Sequence, residues 1–278
     1  RFETDRPRMV SVLNSLQQRF EEVFYSKSLL ALDGIFSQNA LASEQLSEGE
    51  YDVLVSVGGD GTILDSVRKV GRSGVPIFGV NTGRLGFLSS TPFEELEQAL
   101  QKLASGQFEV DKRTLVKAET SNDLFGAENY ALNEVSVHKS TTSSMLVVHA
   151  YLDDLFLNTY WADGLIIATP TGSTGYSLSA GGPIIATGTN NIIITPIAPH
   201  NLNVRPLVIS DNRKVRLIIE KNDPQFMISL DSQSQIVNSD VEIIVAKADF
   251  EVGLVRFGTN DYFDTLREKL MWGIDRRN

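Results

Sequence analysis

No cysteine occurs among the 278 residues, so disulfide bridges, thiolate nucleophiles and cysteine-ligated zinc are excluded together. That suits the reducing cytoplasm, where the chain is expected to reside. Long apolar runs are missing as well. Nothing approaches the roughly 18 residues that a membrane span needs, and the amino end, RFETDRPRM, is charged rather than signal-like. No membrane partner is expected. Positive charge is in deficit, with 25 Lys plus Arg against 35 Asp plus Glu and a net charge of -10. Nucleic-acid backbones are held by concentrated positive charge, which argues against such a partner. An anionic small ligand would have to be held locally, by backbone amides, helix amino ends or a divalent cation, because the overall field repels it. The histidines, His138, His149 and His200, are too scattered for a local metal motif such as HExxH, and none is assigned to metal.

What is present reads as a globular chain of one large or two ordinary domains. From Asp5 to about Tyr25, Met9, Val10, Leu13, Leu16, Phe20, Val23 and Phe24 recur at spacings of three and four, the buried face of a helix. The sequence has no initiator Met and opens almost directly on this helix, so residue 1 is read as an artificial start with a strand expected before it. Tyr51 to Val57 (YDVLVSV) is a Val-rich buried strand. GGDGT follows at Gly58 to Thr62, then a helix carrying Ile63, Leu64, Val67 and Val70 that stops at Gly71. Val75 to Val80 is a second short strand, and Pro92 to Gly106 an amphipathic helix closed by glycine. Strand alternating with helix predicts a parallel sheet. Past Gln107 the texture changes to β-rich runs broken by turn residues, and only DYFDTLREKLMWGIDRR returns to helical spacing, with Phe263, Leu266, Leu270 and Met271 on one side.

Three constellations could carry chemistry. A strand running through Gly58-Gly59-Asp60-Gly61 into a helix at Thr62 sets backbone N–H groups at a positive helix end, where phosphate can be held without a lysine. It is neither a Walker A loop nor GxGxxG. Asp60 would repel phosphate unless it takes a proton from an attacking hydroxyl or sits near a bound cation; the alternative is a turn aspartate accepting local amides. In ADGLIIATPTGSTGYSLSAGGP, from Ala162, a strand ends in a loop crowded with hydroxyls and glycines before a helix-like SLSAGG. It is either a ligand loop or a hydroxyl-capped turn. Tyr176 within it could stack on a base or simply pack. Asn133-Glu134 interrupts an alternating run and could bind a diol, or could be a solvated edge.

Taken in order, GGDGT at Gly58, NTGRLGF at Asn81 to Phe87, Asn133-Glu134, DGLIIATPTGSTGYSLSAGGPI from Asp163, TPIAPHNLNVRPLVI from Thr195 and TLREKLMWG from Thr265 resemble the NAD kinase family, from about Tyr51 to the carboxyl end. GGDGT alone is shared with diacylglycerol and sphingosine kinases and, in variant form, with phosphofructokinase; TPTGSTGYSLSAGGP makes the resemblance specific. It implies an α/β amino-terminal domain with a parallel sheet (1–108), a β-rich NAD-binding domain (109–257), and a carboxyl-terminal helix (258–278) packing back on the first. It also implies phosphorylation of the adenosine ribose 2′-hydroxyl of NAD by ATP or polyphosphate, with a divalent cation, normally magnesium. Asp60 would be the general base, and Gly61 and Thr62 of the same loop, with Trp161, would be among the cofactor-binding residues. Asn133 and Glu134 would hold a ribose and Asp163 the nicotinamide end. Thr174, Gly175, Tyr176, Ser177, Leu178 and Ser179 would line the adenosine, with NAD lodged between this loop and GGDGT, and Phe87 and Gln233 would touch NAD further. Gly175 stands where the family usually has Ala, and Trp161 where many members carry a basic residue. A homodimer or homotetramer built through the β domain is expected by resemblance. The rival readings are a lipid or sugar-phosphate kinase of the same superfamily, and a non-catalytic sensor of NAD or NADP.

Overall fold

The computed structural model describes residues 6–26, 45–83, 86–89, 91–140, 145–220, 225–238, 241–258 and 262–271. Asp5, Arg84, Leu85 and the Trp272-Gly273 end of the last motif lie outside them. The chain divides into two compact units, one made of Arg1–Asp111 with Val252–Asn278 and the other of Lys112–Glu251.

The first unit opens with α1 (Arg6–Arg19). Its buried face is Met9, Val12, Leu13 and Leu16; the helix ends before Phe20, so the apolar residues out to Phe24 belong to the segment after it. β1 (Leu54–Val57), α2 (Asp60–Val70) and β2 (Ile77–Asn81) form the expected parallel unit, with Leu54 to Val57 in register with Ile77 to Val80. A short β3 (Thr91–Pro92) joins β2 in parallel, and α3 (Leu96–Ala104) follows. β2 is buried along its whole length, as a continuous apolar strand covered on both faces must be. Its Phe78 meets Phe257 edge-on at 5.3 Å between ring centroids, in a core completed by Val12, Leu16, Val80, Leu96, Leu100 and Val255.

The second unit contains two antiparallel sheets. β4 (Glu109–Thr120) crosses from the first unit and pairs with β5 (Tyr130–Ala131). Then come β6 (Glu134–Lys139), β7 (Leu146–Leu152), β8 (Leu155–Ala162), β9 (Gly164–Ala168) and a single helical turn, α4 (Tyr176–Ser179). β10 (Asn191–Ile197), β11 (Leu207–Ser210), β12 (Val215–Ile219), β13 (Gln225–Leu230), β14 (Gln233–Asn238) and β15 (Glu242–Arg256) complete the β elements. One sheet runs β11-β10-β9-β6-β13-β14; in the other, β15 pairs with β12, β12 with β7 and β7 with β8. Both contribute to one core, for example Val135, Val137, Leu165 and Phe226 from the first and Leu146, Val148, Leu217 and Ile243 from the second. The inner faces of the two sheets thus share one core.

The last residues of β15 return to the first unit, where Leu254 pairs with Ile77 in parallel. α5 (Tyr262–Leu270) ends the described chain. It buries Tyr262 and Leu266, while Phe263, Leu270 and Met271, expected on the inner side, are exposed. The Tyr262-Leu266 spacing is the one that faces inward. Removing the ring of Phe78 empties a fully buried, edge-stacked site, so Phe78→Ala is expected to cost about 3–5 kcal/mol, read by chemical denaturation.

Candidate active site

In the first unit the turn after β1 delivers an acid. Gly58 sits at φ +149, and a Cβ there would lie 3.1 Å from Thr62 Cβ, so glycine is needed on both counts. Gly59 caps α2 without a side-chain bond, and Asp60 is the first helical residue. The helix therefore starts before Thr62, and Gly61 and Thr62 lie exposed in its first turn. Asp60 makes no local turn bond of the kind the alternative required. Its partners come from 27 to 29 residues away: Phe87 N–H donates to Oδ2 at 2.8 Å, and Leu88 and Ser89 N–H donate to Oδ1 at 3.0 and 3.1 Å.

The donor loop is itself pinned. Asn81 Oδ1 accepts the Gly83 amide at 2.8 Å, Asn81 Nδ2 donates to Ser89 O at 3.3 Å, and Ser89 Oγ donates to Gly58 O at 3.3 Å. Gly86 leaves room for the carboxylate, since a Cβ there would stand 2.6 Å from Asp60 Cγ. The Lys269 ammonium of α5 lies 5.0 Å from the centroid of the half-buried Phe87 ring.

In the second unit Asn133 immediately precedes β6 and Glu134 opens it. β6 lies inside its sheet, between β9 and β13, so the pair is not a solvated edge. A second aspartate holds it. Asp231, at φ +49 in the β13–β14 turn, accepts the amides of Leu132, Asn133 and Glu134 at 2.8, 2.9 and 3.1 Å. From the other side Thr169 N–H donates to Asn133 O at 2.8 Å and Thr169 Oγ1 to Leu132 O at 2.6 Å. Glu134 Oε2 is buried without a hydrogen-bond partner. Burial, and secondly the charge of Asp231, push the Glu134 carboxyl up to about 8. A Cβ on Gly175 would sit 3.3 Å from that orphaned oxygen and 3.8 Å from Asn133 Nδ2, so this glycine keeps space open beside the pair.

The hydroxyl-rich loop divides in two. Thr169, Ser173 and Ser177 are fully buried, and their hydroxyls are spent inside the fold, Ser173 on Pro170 O at 2.7 Å and Ser177 on Thr195 Oγ1 at 2.8 Å. Thr174 bonds back to Thr171 O at 3.2 Å and is half-buried, Leu178 is half-buried and Ser179 exposed. Tyr176 is 41% exposed and stacks on His138, with centroids 5.6 Å apart. Burial holds the His138 imidazole below the ordinary histidine range, and its Nε2 meets Ser136 Oγ at 2.9 Å. Asp163 pairs with Lys139 at 2.6 Å. Trp161 is 43% exposed on β8, and Gln233 donates to Glu128 at 3.1 Å.

The structure thus gathers Asn133, Glu134 and Gly175 in one place and sets Tyr176 and Asp163 against neighbouring residues of β6. Sequence reasoning missed Asp231, His138, Lys139 and Arg113. Arg113 is buried, with Nη1 donating to Thr171 Oγ1 at 3.1 Å beneath the loop. Asp231 had a readable signal, an Asp-Ser pair between two alternating runs, which is hairpin chemistry.

The ATP-NAD kinase N-terminal domain family matches residues 4–108 and the ATP-NAD kinase C-terminal domain family residues 132–257. The chain is 50% identical to the NAD kinase of Cytophaga hutchinsonii over 230 residues, 83% of this chain and 79% of that protein. It is 41% identical to the NAD kinase of Flavobacterium johnsoniae over 265 residues, 95% and 89% of the two chains. Among solved structures, yeast NADH kinase complexed with NADH aligns at a TM-score of 0.82 and 26% identity, over 97% of this chain and 84% of that one. An NAD kinase from Archaeoglobus fulgidus in complex with ATP aligns at 0.70 and 35% identity, over 84% and 89%.

Glu134 has a consequence for stability. A carboxyl raised from 4.5 to about 8 on folding takes up protons as the chain folds, so its stability contribution falls as pH rises from near 4.5 and is fully lost above 8. Glu134→Gln, neutral throughout, is expected to melt above wild type at pH 8.5 and level with it at pH 4.5, read by thermal unfolding at the two pH values.

Proposed function

Because this chain belongs to the NAD kinase family, a family of phosphotransferases, we propose that it transfers the terminal phosphoryl group of ATP to the 2′-hydroxyl of the adenosine ribose of NAD, giving NADP, with Asp60 as general base. An ionised carboxylate offers about four lone-pair sites, and three of those on Asp60 are taken by the amides of residues 87 to 89. The fourth, on Oδ2, is left for the substrate hydroxyl. The ribose proton passes to Oδ2 as the oxygen–phosphorus bond forms and the bond to the leaving diphosphate breaks. This fixed carboxylate at an open helix amino end is the observation that carries the reading.

Recognition is assigned to the second unit. Glu134 and Asn133 take a ribose diol, and the orphaned Glu134 Oε2 supports this because it is a buried acceptor lacking a donor. Asp163 serves the nicotinamide end, with Trp161 nearby in sequence. Tyr176 offers a half-exposed ring to the adenine, and residues 174 to 179 surround it, Ser177 by its backbone alone because its hydroxyl is spent. Phe87 and Gln233 add contacts. Among the described residues no group of three or more His, Asp or Glu could cage a metal. A divalent cation, magnesium, is assigned to the donor as MgATP, which needs no such cage, since Mg²⁺ is usually held through substrate phosphates. Polyphosphate presents the same terminal phosphoryl group. Leu155, Phe156 and Trp161, exposed on the edge strand β8, support a homo-oligomer formed through the β sheets. No helix of the described residues is long and apolar enough to cross a membrane, and the lack of cysteine supports the cytoplasm.

The test is NADP formation from NAD and magnesium with either donor, read through an NADP-dependent dehydrogenase. Asp60→Asn keeps an acceptor for the Leu88 and Ser89 amides, so NAD affinity is expected to stay within about threefold while kcat falls about 10² to 10⁴-fold. Binding without turnover by the wild-type chain, or a wild-type rate in the variant, would contradict the assignment.

A further inference from the structure

The Asp60 carboxylate is aimed by the main chain of residues 87 to 89, and we infer that Gly86 and Lys269 are positioning residues acting through that loop. The inference rests on Asp60 being the base. Residues 87, 88 and 89 present three consecutive N–H groups to one carboxylate, two to Oδ1 and one to Oδ2. This leaves the carboxyl group little rotation about its Cβ–Cγ bond and singles out Oδ2 as the proton acceptor.

The geometry is possible only because position 86 has no side chain. A Cβ there would overlap Asp60 Oδ1 and stand 2.6 Å from Cγ and 3.1 Å from Oδ2. A close contact to the far end of a flexible side chain can be relieved by moving that side chain. Here the neighbour is the catalytic carboxylate, held by three amides, and relief means breaking those bonds. The Gly86 amide also donates to Ser89 O at 3.4 Å, so the residue closes the same turn whose amides do the holding.

Lys269 acts from the outside. Its ammonium is 5.0 Å from the centroid of Phe87, the residue whose amide holds Oδ2, and it projects from α5, which is otherwise anchored by Tyr262 and Leu266. The carboxyl-terminal helix thereby restrains the side chain of a loop residue whose main chain restrains the base.

A double-mutant cycle separates positioning from structure. Gly86→Ala is expected to lower kcat on the order of 10²-fold with KM for NAD changed less than about threefold. In an Asp60→Ala background, where the carboxylate is gone and its volume vacated, adding Gly86→Ala is expected to change the residual rate less than about twofold. The same fold-loss in both backgrounds, or a wild-type kcat in Gly86→Ala, would overturn the inference. A wild-type rate in Asp60→Ala would instead overturn the reading on which it rests. Should Gly86→Ala fail to fold, Lys269 carries the test alone: Lys269→Met is expected to lower kcat about two- to fivefold at unchanged KM, and Lys269→Arg, which also stacks on aromatic faces, to restore it. Equal rates in all three Lys269 forms would count against its role.

Discussion

Among the described residues a carboxylate twice holds three consecutive backbone amides, once in each unit, and the local path of the candidate site residues depends on it each time. Asp60 gathers Phe87, Leu88 and Ser89; Asp231 gathers Leu132, Asn133 and Glu134. Asp60 fixes the path of a stretch outside any ladder, whereas Asp231 fixes the entry into β6, whose first residue is Glu134. Charge-assisted bonds of this kind are roughly twice as strong as neutral ones, and three on one group leave little freedom. The chemical difference lies in what remains. Asp60 sits at an open helix start with a lone pair to spare, whereas Asp231 fixes the backbone of the Asn133-Glu134 pair and, by its charge, helps keep Glu134 protonated.

The second of these arrangements carries a local cost in stability. Glu134 is a buried acid with an oxygen lacking any donor, next to another acid, in the interior of a sheet. In a chain selected only to fold, that oxygen would be paired or replaced. On the proposed reading a ligand presenting two hydroxyls would offset that cost, and Gly175 keeps a side chain from crowding the orphaned oxygen. The hydroxyls of Thr169, Ser173 and Ser177 show the opposite economy, since all are consumed in shaping the loop.

Much of the fold was legible because it follows from periodicity. The parallel β1-α2-β2 unit, the change to β texture after Gln107 and the helical character near the carboxyl end could be read from apolar spacing and glycine stops. The inward face of α5 could not, because Tyr262-Leu266 and Phe263-Leu270 are both helical spacings and only packing decides between them. The extent of α1 was overread for a related reason: Phe20 to Phe24 continue the apolar spacing after the helix has ended. At the site, Asp60 and Asn133-Glu134 stood out as polar groups where neighbours were apolar or glycine. Asp231 was legible only as a turn residue, and Lys139 and Arg113 not at all, since the partners that give them meaning lie 97 to 99, 24 and 58 residues away. Long-range pairing of a charged side chain leaves no local period to read.

The most direct measurement is a crystal structure with NAD and a non-hydrolysable ATP analogue bound together with magnesium. The adenosine 2′-oxygen is expected within about 3 Å of Asp60 Oδ2 while the amides of residues 87 to 89 still hold the carboxylate. A ternary complex in which that oxygen contacts another base, or in which Asp60 has left the loop to face solvent, would contradict it.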